Sequence, residues 1–354
     1  MTLKYALLAN PGHNRVYFEE SKKLAEAELG LALPCLSVPC GLIAPAVLGG
    51  IHYLTFTAEA VLTASDISVL SRLSFVYAIF RLMKINDEVL LLPVPLADYA
   101  YIGTDIGTIL KYTGKTNELF TRMMINAALF ASGDCTAEGK RLLDPVAGKG
   151  TTLFEGLVYG MDVYGVEVGS HAVGEACRYL QKYLQMGKYK HRMKIERVSG
   201  EGKTFTAERR YFELARGREE AKRGEYRTFE LIAGNSCYVN RFYRRSFFDV
   251  IVGDLPYGVQ HGNVTNEGQS KLTRSPAELL RTCLPAWRDV LKTGGVVALA
   301  WNVNVLPRAS AEQILEEFGF KVLRGDRYGR FQHRVDQAIL RDVILAKKVG
   351  ASEK

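Results

Sequence analysis

The features that this sequence lacks restrict its location and its chemistry. No apolar run reaches the roughly 18–20 residues that a membrane-spanning helix needs. Residues 1–10 are too short for a signal peptide and predict a strand over 4–9. The 6 cysteines are scattered, and neither a second pair nor a histidine cluster accompanies Cys35 and Cys40, so no zinc site is predicted. We therefore expect a cytoplasmic protein with reduced thiols, no metal and no membrane contact.

Two familiar nucleotide-binding signatures are also missing. Gly148 and Gly150 begin a glycine pattern, but Leu153 stands where the dinucleotide fingerprint has its third glycine. No Gly-Lys-Ser/Thr is placed as in a phosphate-binding P-loop. The 6 histidines are isolated from one another, and only His261 lies close to the loop at residues 254–257. The sequence therefore assigns catalysis to no histidine.

The chain is basic and long enough for two domains. It has 354 residues, of which 47% are hydrophobic, and this is ample for packed cores. Lysine and arginine outnumber aspartate and glutamate by 46 to 38, which gives a net charge of +8. The excess suits a polyanion such as nucleic acid, and an ordinary basic enzyme is the alternative.

The glycine-rich segment 103–114 predicts a junction between two domains. Before it, residues 1–112 form an α+β unit, in which a helix over 18–29 stops at the next glycine. The predicted strands of this unit cover residues 4–9, 51–58 and 88–94. Residues 35–50 predict a loop or a short strand, and residues 66–83 fit a helix or a pair of strands. The unit carries no chemical motif, so it serves either for packing and oligomerisation or as an accessory domain that grips the substrate.

Strands and helices alternate in the second domain, residues 113–354. A helix over 116–131, capped by Thr116 or Asn117, precedes its first strand. The predicted strands cover residues 142–144, 163–168, 229–232, 248–253, 296–301 and 338–347. The predicted helices cover residues 152–159, 171–186, 276–291 and 310–318. This alternation predicts a doubly wound, mostly parallel sheet, with an antiparallel edge pair between residues 328–334 and 337–347.

An insert at residues 187–228 interrupts the alternation. Between residues 188 and 227 it holds 13 Lys or Arg against 7 Asp or Glu, which is most of the net charge of the chain. The aromatic side chains among them are Tyr189, Phe205, Tyr211, Phe212 and Tyr226. Basic and aromatic residues together can hold phosphates and stack on bases. The insert therefore predicts a nucleic-acid contact, and a solvated hairpin or helix pair is the alternative.

The first strand of the second domain runs into a glycine turn. Asp144 and Pro145 end this strand, and Gly148 and Gly150 form the turn before the next helix. Glycine permits backbone conformations and a close ligand approach that a larger residue would block. A nucleotide-like ligand can therefore enter the crevice between this strand and the helix.

Polar side chains also follow the second and third strands. Glu167 ends the second strand, roughly 20 residues after the glycine turn, where a carboxylate can accept both ribose hydroxyls of an adenosine group. Asn235 and Ser236 follow the third strand and can contact the adenine ring. The alternatives are an ordinary acid at a strand end and a polar turn.

The fourth strand ends in Asp254, Leu255, Pro256 and Tyr257. An exocyclic base amine is a poor nucleophile, because its lone pair is delocalised into the ring. Asp254 can accept one N–H of such an amine, and the backbone carbonyl of Leu255 can accept the other because Pro256 keeps the chain extended. Tyr257 can stack on a flipped or single-stranded base. Orientation and hydrogen bonding would then supply the catalysis without a strong general base.

Together these motifs resemble the class I S-adenosylmethionine-dependent methyltransferases that modify amines of bases. The resemblance rests on residues 144–151, Glu167 and the loop 254–259, and it covers about residues 112–346. It is greatest to the tRNA guanine-N2-methyltransferases, although Leu255 replaces the first proline of their Asp/Asn-Pro-Pro-Tyr loop. The amino-terminal unit shows no clear version of the RNA-capture domain usual in that group.

The resemblance implies a Rossmann-like α/β sheet, S-adenosylmethionine as the cofactor and RNA as the partner, with tRNA ahead of rRNA. It implies residues 254–257 as the catalytic loop. The cofactor-binding residues that it implies are Thr116, Asp144, Ala147, Gly148, Gly150, Thr151, Glu167, Val168, Asn235 and Ser236.

The leading hypothesis is methyl transfer to N2 of a guanosine in tRNA. One alternative is the same chemistry on adenine N6 of DNA or rRNA. Another is a nucleic-acid-binding protein that keeps the fold without catalysis, and the intact Asp254 and Tyr257 argue against it. Nothing in the sequence specifies an oligomeric state.

Overall fold

A computed structural model of the chain describes residues 2–10, 15–86, 88–109, 114–200, 205–257 and 275–350, with the backbone alone over 15–20. The predicted domain boundary at 112–113, the residues that follow Tyr257 in the loop, and His261 lie outside the described residues. The division into domains at that boundary therefore stays a prediction. Two sheets organise the described chain.

The first sheet is antiparallel and comes from the amino-terminal part of the chain. Its strands are β1 (Leu3–Ala9), β2 (Cys40–Leu48), β3 (Ile51–Ala58), β4 (Val76–Ile85) and β5 (Glu88–Val94). They lie in the order β2-β3-β1-β4-β5. The accompanying helices are α1 (Arg15–Ala32), a 3-10 turn (Leu33–Cys35) and α2 (Ala64–Ser71). The predicted amino-terminal α+β unit is thus confirmed.

Three details of this unit differ from the prediction. Helix α1 continues past Gly30, because burial of Leu29 and Leu31 offsets the cost of a glycine within the helix. Residues 35–50 hold the full strand β2, which tolerates Pro45 because it is an edge strand. Residues 66–83 hold parts of one helix and one strand, α2 and β4, and not two strands.

The second sheet contains ten strands. They are β6 (Arg141–Asp144), β7 (Asp162–Glu167), β8 (Lys190–Ser199), β9 (Thr206–Ala215), β10 (Arg227–Ala233), β11 (Phe248–Asp254), β12 (Leu291–Asn302), β13 (Phe320–Val322), β14 (His333–Arg334) and β15 (Leu340–Lys348). Their order is β13-β15-β12-β11-β6-β7-β10-β9-β8, with β14 paired to β15. The strands from β12 to β10 are parallel, which confirms the predicted doubly wound sheet.

Helices cover both faces of this sheet. They are α3 (Ile106–Ile109), α4 (Glu118–Ser132), α5 (Thr151–Val158), α6 (Ser170–Met186), α7 (Arg218–Arg223), α8 (Val239–Phe242), α9 (Pro276–Val290) and α10 (Arg308–Glu317), with a 3-10 turn at Ser236–Tyr238. No helix in the described ranges is both long enough and apolar enough to cross a bilayer.

Alternating apolar residues on the central strands build two cores. Leu142 and Val250 face one core, which also contains α4, α5, α6 and the first sheet. Leu143 and Ile251, their neighbours in the chain, face the other core with α9 and α10. Helix α4 is buried along nearly its whole length, because it lies between α1 and β12. The first sheet and the second sheet therefore share one continuous core.

The edges of the large sheet were predicted least well. The insert forms the antiparallel hairpin β8–β9, which extends the sheet beyond β10, and then the short helix α7. The predicted edge pair is wrong in its main partner, because β15 lies between β12 and β13. Only β14, two residues long, pairs with the start of β15. Strand β13 has three residues, too few for a periodic pattern to reveal it.

Candidate active site

The carboxyl ends of the parallel strands bring the predicted polar residues to one edge of the sheet. Asp144 ends β6, Glu167 ends β7 and Asp254 ends β11. Asn235 follows β10, and the N–H of Gly234 donates to the backbone carbonyl of Glu167 at 2.9 Å. In open α/β sheets, ligands bind at this edge, where the direction of the chain crossovers reverses.

The glycine turn between β6 and α5 is tied to the neighbouring strand. The N–H of Ala147 donates to the carbonyl of Val166 at 3.0 Å, and the N–H of Gly150 returns to the carbonyl of Ala147 at 2.7 Å. Gly148 and Gly150 have φ values of +52° and +84°, which favour glycine. A Cβ atom built on Gly148 would meet no heavy atom within 4 Å, so the turn leaves open space beside it.

Glu167 faces this open turn. One carboxylate oxygen accepts the N–H of Gly148 at 2.9 Å, and the other accepts the N–H of Gly169 at 2.7 Å. Burial raises the pKa of Glu167 above its usual value, and these two N–H donors oppose the shift. Each oxygen keeps a lone pair for a further donor. The adjacent Val168 is 43% exposed and offers an apolar surface beside the carboxylate.

Asp144 is buried below the turn, with 3% of its surface exposed. Its carboxylate accepts the N–H of Val146 at 3.0 Å and a hydrogen bond from Thr152. Burial raises the pKa of Asp144 to about 7, and the nearby charges of Asp254 and Glu167 act in the same direction. Asp144 therefore supports the turn from inside, with Thr151 buried beside it as the first residue of α5.

The two predicted residues after β10 have separate surroundings. The side-chain oxygen of Asn235 accepts the N–H of Cys237 at 3.0 Å and caps the 3-10 turn. The hydroxyl of Ser236 is buried and accepts the indole N–H of Trp287 at 2.9 Å. The structure therefore places Asn235 next to Glu167 at the sheet edge, whereas the Ser236 side chain is bonded to α9 in the second core.

Asp254 is the centre of a compact polar cluster. The hydroxyl of Thr116 donates to one carboxylate oxygen at 2.6 Å, and the hydroxyl of Tyr257 donates to the other at 2.6 Å. Burial raises the pKa of Tyr257, and the charge of Asp254 raises it further, so Tyr257 remains a hydrogen-bond donor. Thr116 precedes Asn117, whose side chain caps α4 by accepting the N–H groups of Leu119 and Phe120.

Leu255 anchors this cluster on the sheet. The Leu255 side chain is 2% exposed and packs in the second core. Its N–H donates to the carbonyl of Ala300 on β12 at 2.8 Å. The leucine that replaces a proline of the related loops thus adds a hydrogen bond and an apolar anchor, both of which a proline at this position could not supply in the same way.

Arg341 is a site residue that the sequence pattern did not reveal. It lies on β15 with 5% of its surface exposed, and its guanidinium is 3.9 Å from the Asp254 carboxylate. The guanidinium also lies 5.1 Å from the centre of the Tyr257 ring. The one signal in the sequence is a charged pair, Arg341 and Asp342, directly before the apolar run 343–346 of the same strand.

Most arginines of the basic insert are paired with acids. Arg209 lies 3.2 Å from buried Glu230, and Arg210 lies 2.7 Å from Glu208. The other pairs are Arg192 with Glu213, Arg216 with Glu220, Lys222 with Glu219, Arg223 with Glu225 and Arg227 with Glu138. Lys190 and Lys194 are exposed on the edge strand β8, with no acid at ion-pair distance within the described part of the chain.

One family model matches the sequence over more than half of its length. The model of the family described as UPF0020, RMKL-like methyltransferase domain, matches residues 122–322. No curated relative matches the sequence.

Solved structures that a structural search matches to this chain include TrmN from Thermus thermophilus, with 14% identity, a TM-score of 0.39 and coverage of 87% of this chain and 59% of TrmN. This chain thus spans little more than half the length of TrmN. The 16S rRNA N2 G1207 methyltransferase RsmC of T. thermophilus has 16% identity, a TM-score of 0.36 and coverage of 87% and 58%. Magnesium protoporphyrin IX methyltransferase from Synechocystis PCC 6803 has 13% identity, a TM-score of 0.39 and coverage of 71% and 93%.

Proposed function

The chain belongs to the family of RMKL-like methyltransferase domains, and from this membership we propose that it methylates the exocyclic amine of a base in RNA, with guanosine N2 of tRNA as the leading target. The chain is an S-adenosylmethionine-dependent methyltransferase. We propose the identity of the target base, the atom that is methylated and the kind of RNA. The polar cluster around Asp254 is the observation that carries this proposal.

The cofactor is S-adenosylmethionine, and we propose that it binds in the crevice at this sheet edge. When bound, it supplies a methyl group on a positively charged sulfonium. Glu167 would accept the ribose hydroxyls through its remaining lone pairs, and exposed Val168 would pack on the adenine ring. The open space beside Gly148 admits the rest of the molecule without a side chain in the way. Asn235 lies beside Glu167 at the same sheet edge, and we propose that its side-chain amide contacts the adenine ring.

Asp254 and Tyr257 have the chemistry needed to hold a base amine. Each Asp254 oxygen accepts one hydroxyl and keeps a lone pair, so the carboxylate can also accept an amine N–H. That hydrogen bond orients the amine and fixes the direction of its lone pair. The half-buried Tyr257 ring offers a flat surface on which a base that has left its stack can lie.

Charge supports a nucleic-acid substrate over a small molecule. The chain has a net charge of +8, and exposed Lys190 and Lys194 lie on the edge strand of the same sheet. Lysines without acidic partners can neutralise phosphates, because no internal ion pair has to break first. We also propose that the amino-terminal unit, residues 1–112, serves as an accessory domain for this substrate.

Nucleoside analysis tests the proposal. The gene is deleted, tRNA and rRNA are digested separately, and modified nucleosides are quantified by mass spectrometry. We expect loss of N2-methylguanosine from tRNA, and its return when the wild-type gene is restored but not when the Asp254→Asn gene is restored.

Each other outcome has a defined meaning. Loss of N6-methyladenosine would mean that the target base is adenine and not guanine. Loss of a methylated nucleoside from the rRNA fraction alone would mean that the substrate is rRNA and not tRNA. Nucleosides unchanged in both fractions would contradict the proposal that RNA is the substrate.

A further inference from the structure

Arg341 sits in an unusual place for a buried cation. Its guanidinium lies between two aromatic rings, 4.5 Å from the centre of Phe120 and 5.1 Å from the centre of Tyr257. His333 lies on Phe120, with 5.1 Å between ring centres. No other aromatic ring or cation within the described residues lies over Tyr257. One face of the Tyr257 ring is thus covered by Arg341.

Arg341 contacts two polar side chains of the base-binding loop, the Tyr257 hydroxyl and the Asp254 carboxylate. It is 5% exposed, and its Nε has no hydrogen-bond partner among the residues that the structure describes. Among the described residues, Asp254 is its one acidic neighbour within ion-pair range, at 3.9 Å. A buried charge with incomplete pairing is costly to the fold. Arg341 is therefore poorly explained by stability alone.

The next residue on the same strand, Asp342, forms a buried ion pair of the kind that stabilises a fold. Asp342 is 4% exposed in its side chain and pairs with Arg308 at 2.7 Å. Arg308 also pairs with Glu312 at 2.9 Å, so it serves β15 and α10 together. That cluster points away from Asp254, and it provides a matched comparison for Arg341.

We propose that Arg341 is a positioning residue that fixes the Tyr257 ring and the Asp254 carboxylate for the transfer step. This inference rests on the proposed function, because it concerns the same base-binding loop. The planar guanidinium holds the ring from one side through a cation–π contact, while its charge attracts the carboxylate that accepts the Tyr257 hydroxyl. A substrate base is then left with the opposite face of Tyr257.

Phe120 extends this role to the start of α4. It follows the Asn117 cap by one helical turn, and Thr116 at the same end donates to Asp254. The guanidinium between Phe120 and Tyr257 therefore joins the beginning of α4 to the catalytic loop. Removing it should loosen the ring and the carboxylate without touching the crevice at Glu167.

Arg341→Ala and Arg341→Lys test the proposal beside Arg308→Ala. Total tRNA from a strain that lacks the gene serves as the substrate, and kcat, KM for RNA, affinity for S-adenosylmethionine and melting temperature are measured. Since a displacement of about 1 Å near the reacting atoms can cost about 100-fold in rate, we expect Arg341→Ala to lower kcat by about that factor with little change in KM or cofactor affinity.

Two further readouts separate positioning from general stability. Arg341→Lys keeps the charge but not the planar group, so its kcat should lie between wild type and Arg341→Ala. Guanidinium ion at low concentration should restore part of the activity of Arg341→Ala by occupying the vacated space. Arg308→Ala should lower the melting temperature more than Arg341→Ala does and leave kcat largely unchanged.

The outcomes are distinguishable. If wild type methylates the tRNA and Arg341→Ala has the same kcat, the positioning role is wrong while the proposed function stands. If Arg308→Ala loses as much kcat as Arg341→Ala, the effect is one of stability and the inference also fails. If wild type methylates no RNA, the proposed function fails, and the inference fails with it.

Discussion

Asp254 combines two strong hydrogen bonds with a position at the end of a buried strand. If the carboxylate orients the base amine, Asp254→Asn should lower kcat by about 100-fold or more. The reason is that the asparagine amide is neutral and accepts the amine N–H more weakly than a negatively charged carboxylate does. Affinity for S-adenosylmethionine should be unchanged, since Glu167 and the glycine turn are separate from this carboxylate. Methyl-transfer kinetics and calorimetry measure the two quantities.

Asp249 supplies the matched control at the opposite end of the same strand. It accepts the N–H of Arg141 at 2.9 Å and pairs with Lys292 at 2.6 Å, away from the cofactor crevice. Asp249→Asn should lower stability and leave kcat near the wild-type value. Full activity in Asp254→Asn would remove Asp254 from the catalytic assignment.

Asp144 predicts a pH dependence of stability. Burial raises its pKa to about 7, so the folded state holds the proton more tightly than the unfolded state, in which the pKa is about 3.9. Because the pKa is raised on folding, the contribution of Asp144 to the free energy of unfolding is fully present below pH 4. It is lost as the pH rises to 7. The free energy of unfolding of wild type, relative to Asp144→Asn, should therefore fall over this range, by on the order of 4 kcal/mol.

Urea unfolding of both proteins at pH 4.5, 6 and 8 measures this difference. Subtracting the variant removes the contributions of other buried acids, such as Glu167, whose pKa is also raised by burial. A difference that stays constant across the three pH values would show that Asp144 is ionised in the folded protein throughout.

At the scale of elements, the hairpin β8–β9 changes how the basic insert should be tested. Arg209 and Arg210 are engaged in ion pairs, one of them with buried Glu230, so reversing their charge would disturb the fold as well as any RNA contact. Lys190 and Lys194 avoid this problem because they are exposed on the edge strand. Lys190→Glu with Lys194→Glu should weaken RNA binding and flatten its salt dependence, by about 0.7–0.9 in slope per lost phosphate contact.

Lys321→Glu is the control for this pair. Lys321 is exposed on β13, at the opposite edge of the same sheet. Its substitution therefore reverses the charge of an exposed edge-strand lysine that is far from the insert. Filter binding of tRNA over a range of salt concentrations gives affinity and slope together. Equal effects from the two edges would mean that the insert makes no particular RNA contact.

The elements that could be predicted from the sequence are those with a clear period or a clear stop. The central strands β6, β7, β10 and β11 appear as short apolar runs that end in polar residues, and they pair in parallel as predicted. Helix α1 was predicted too short because tertiary burial outweighs the local preference of Gly30. Strand β13 was missed because three residues carry no period. In each case, the missing information lies in contacts between elements.

At the scale of the whole molecule, a buried polar network links the two sheets. Asn126 of α4 donates to the Glu28 carboxylate of α1 at 2.7 Å and to the carbonyl of Arg72 at 2.9 Å. Glu28 also accepts the N–H of Ser74 at 3.0 Å, and both Asn126 and Glu28 are fully buried. Burial raises the pKa of Glu28 above its usual value. These contacts and the shared core predict that both sheets unfold together.

Asn126→Leu tests this coupling. It leaves Glu28 and the Arg72 carbonyl with one donor fewer each, so the free energy of unfolding should fall by about 1–3 kcal/mol. Circular dichroism and tryptophan fluorescence should still give coincident urea transitions, since Trp287 and Trp301 both report on the large sheet and the ellipticity reports on all elements.

Asn304→Ala is the control, because Asn304 also donates to a carbonyl, that of Ala338, but does so at the surface. Its effect should stay within about 0.5 kcal/mol. Two separate transitions in wild type would contradict the shared core.

The candidate site could be predicted only for residues that lie at the carboxyl ends of the parallel strands. Glu167 and Asp254 each end a strand, and a doubly wound sheet brings such ends to one edge. Arg341 reaches the site because β15 runs back beside β12, with Arg341 opposite Asn302. That register follows from tertiary pairing. Likewise, the sequence leaves the cap of α4 open between Thr116 and Asn117, and the fold gives the cap to Asn117 and places the Thr116 hydroxyl on Asp254.

The bond from Thr116 to Asp254 also sets a limit for protein engineering. Thr116 lies ahead of the first strand of the large sheet, yet its hydroxyl is 2.6 Å from the carboxylate that ends β11. A designer who trims the amino-terminal part to obtain a minimal transferase must keep this threonine, although the family match begins only at residue 122. A fragment cut to the matched residues would lose a donor to Asp254 and the beginning of α4 with it.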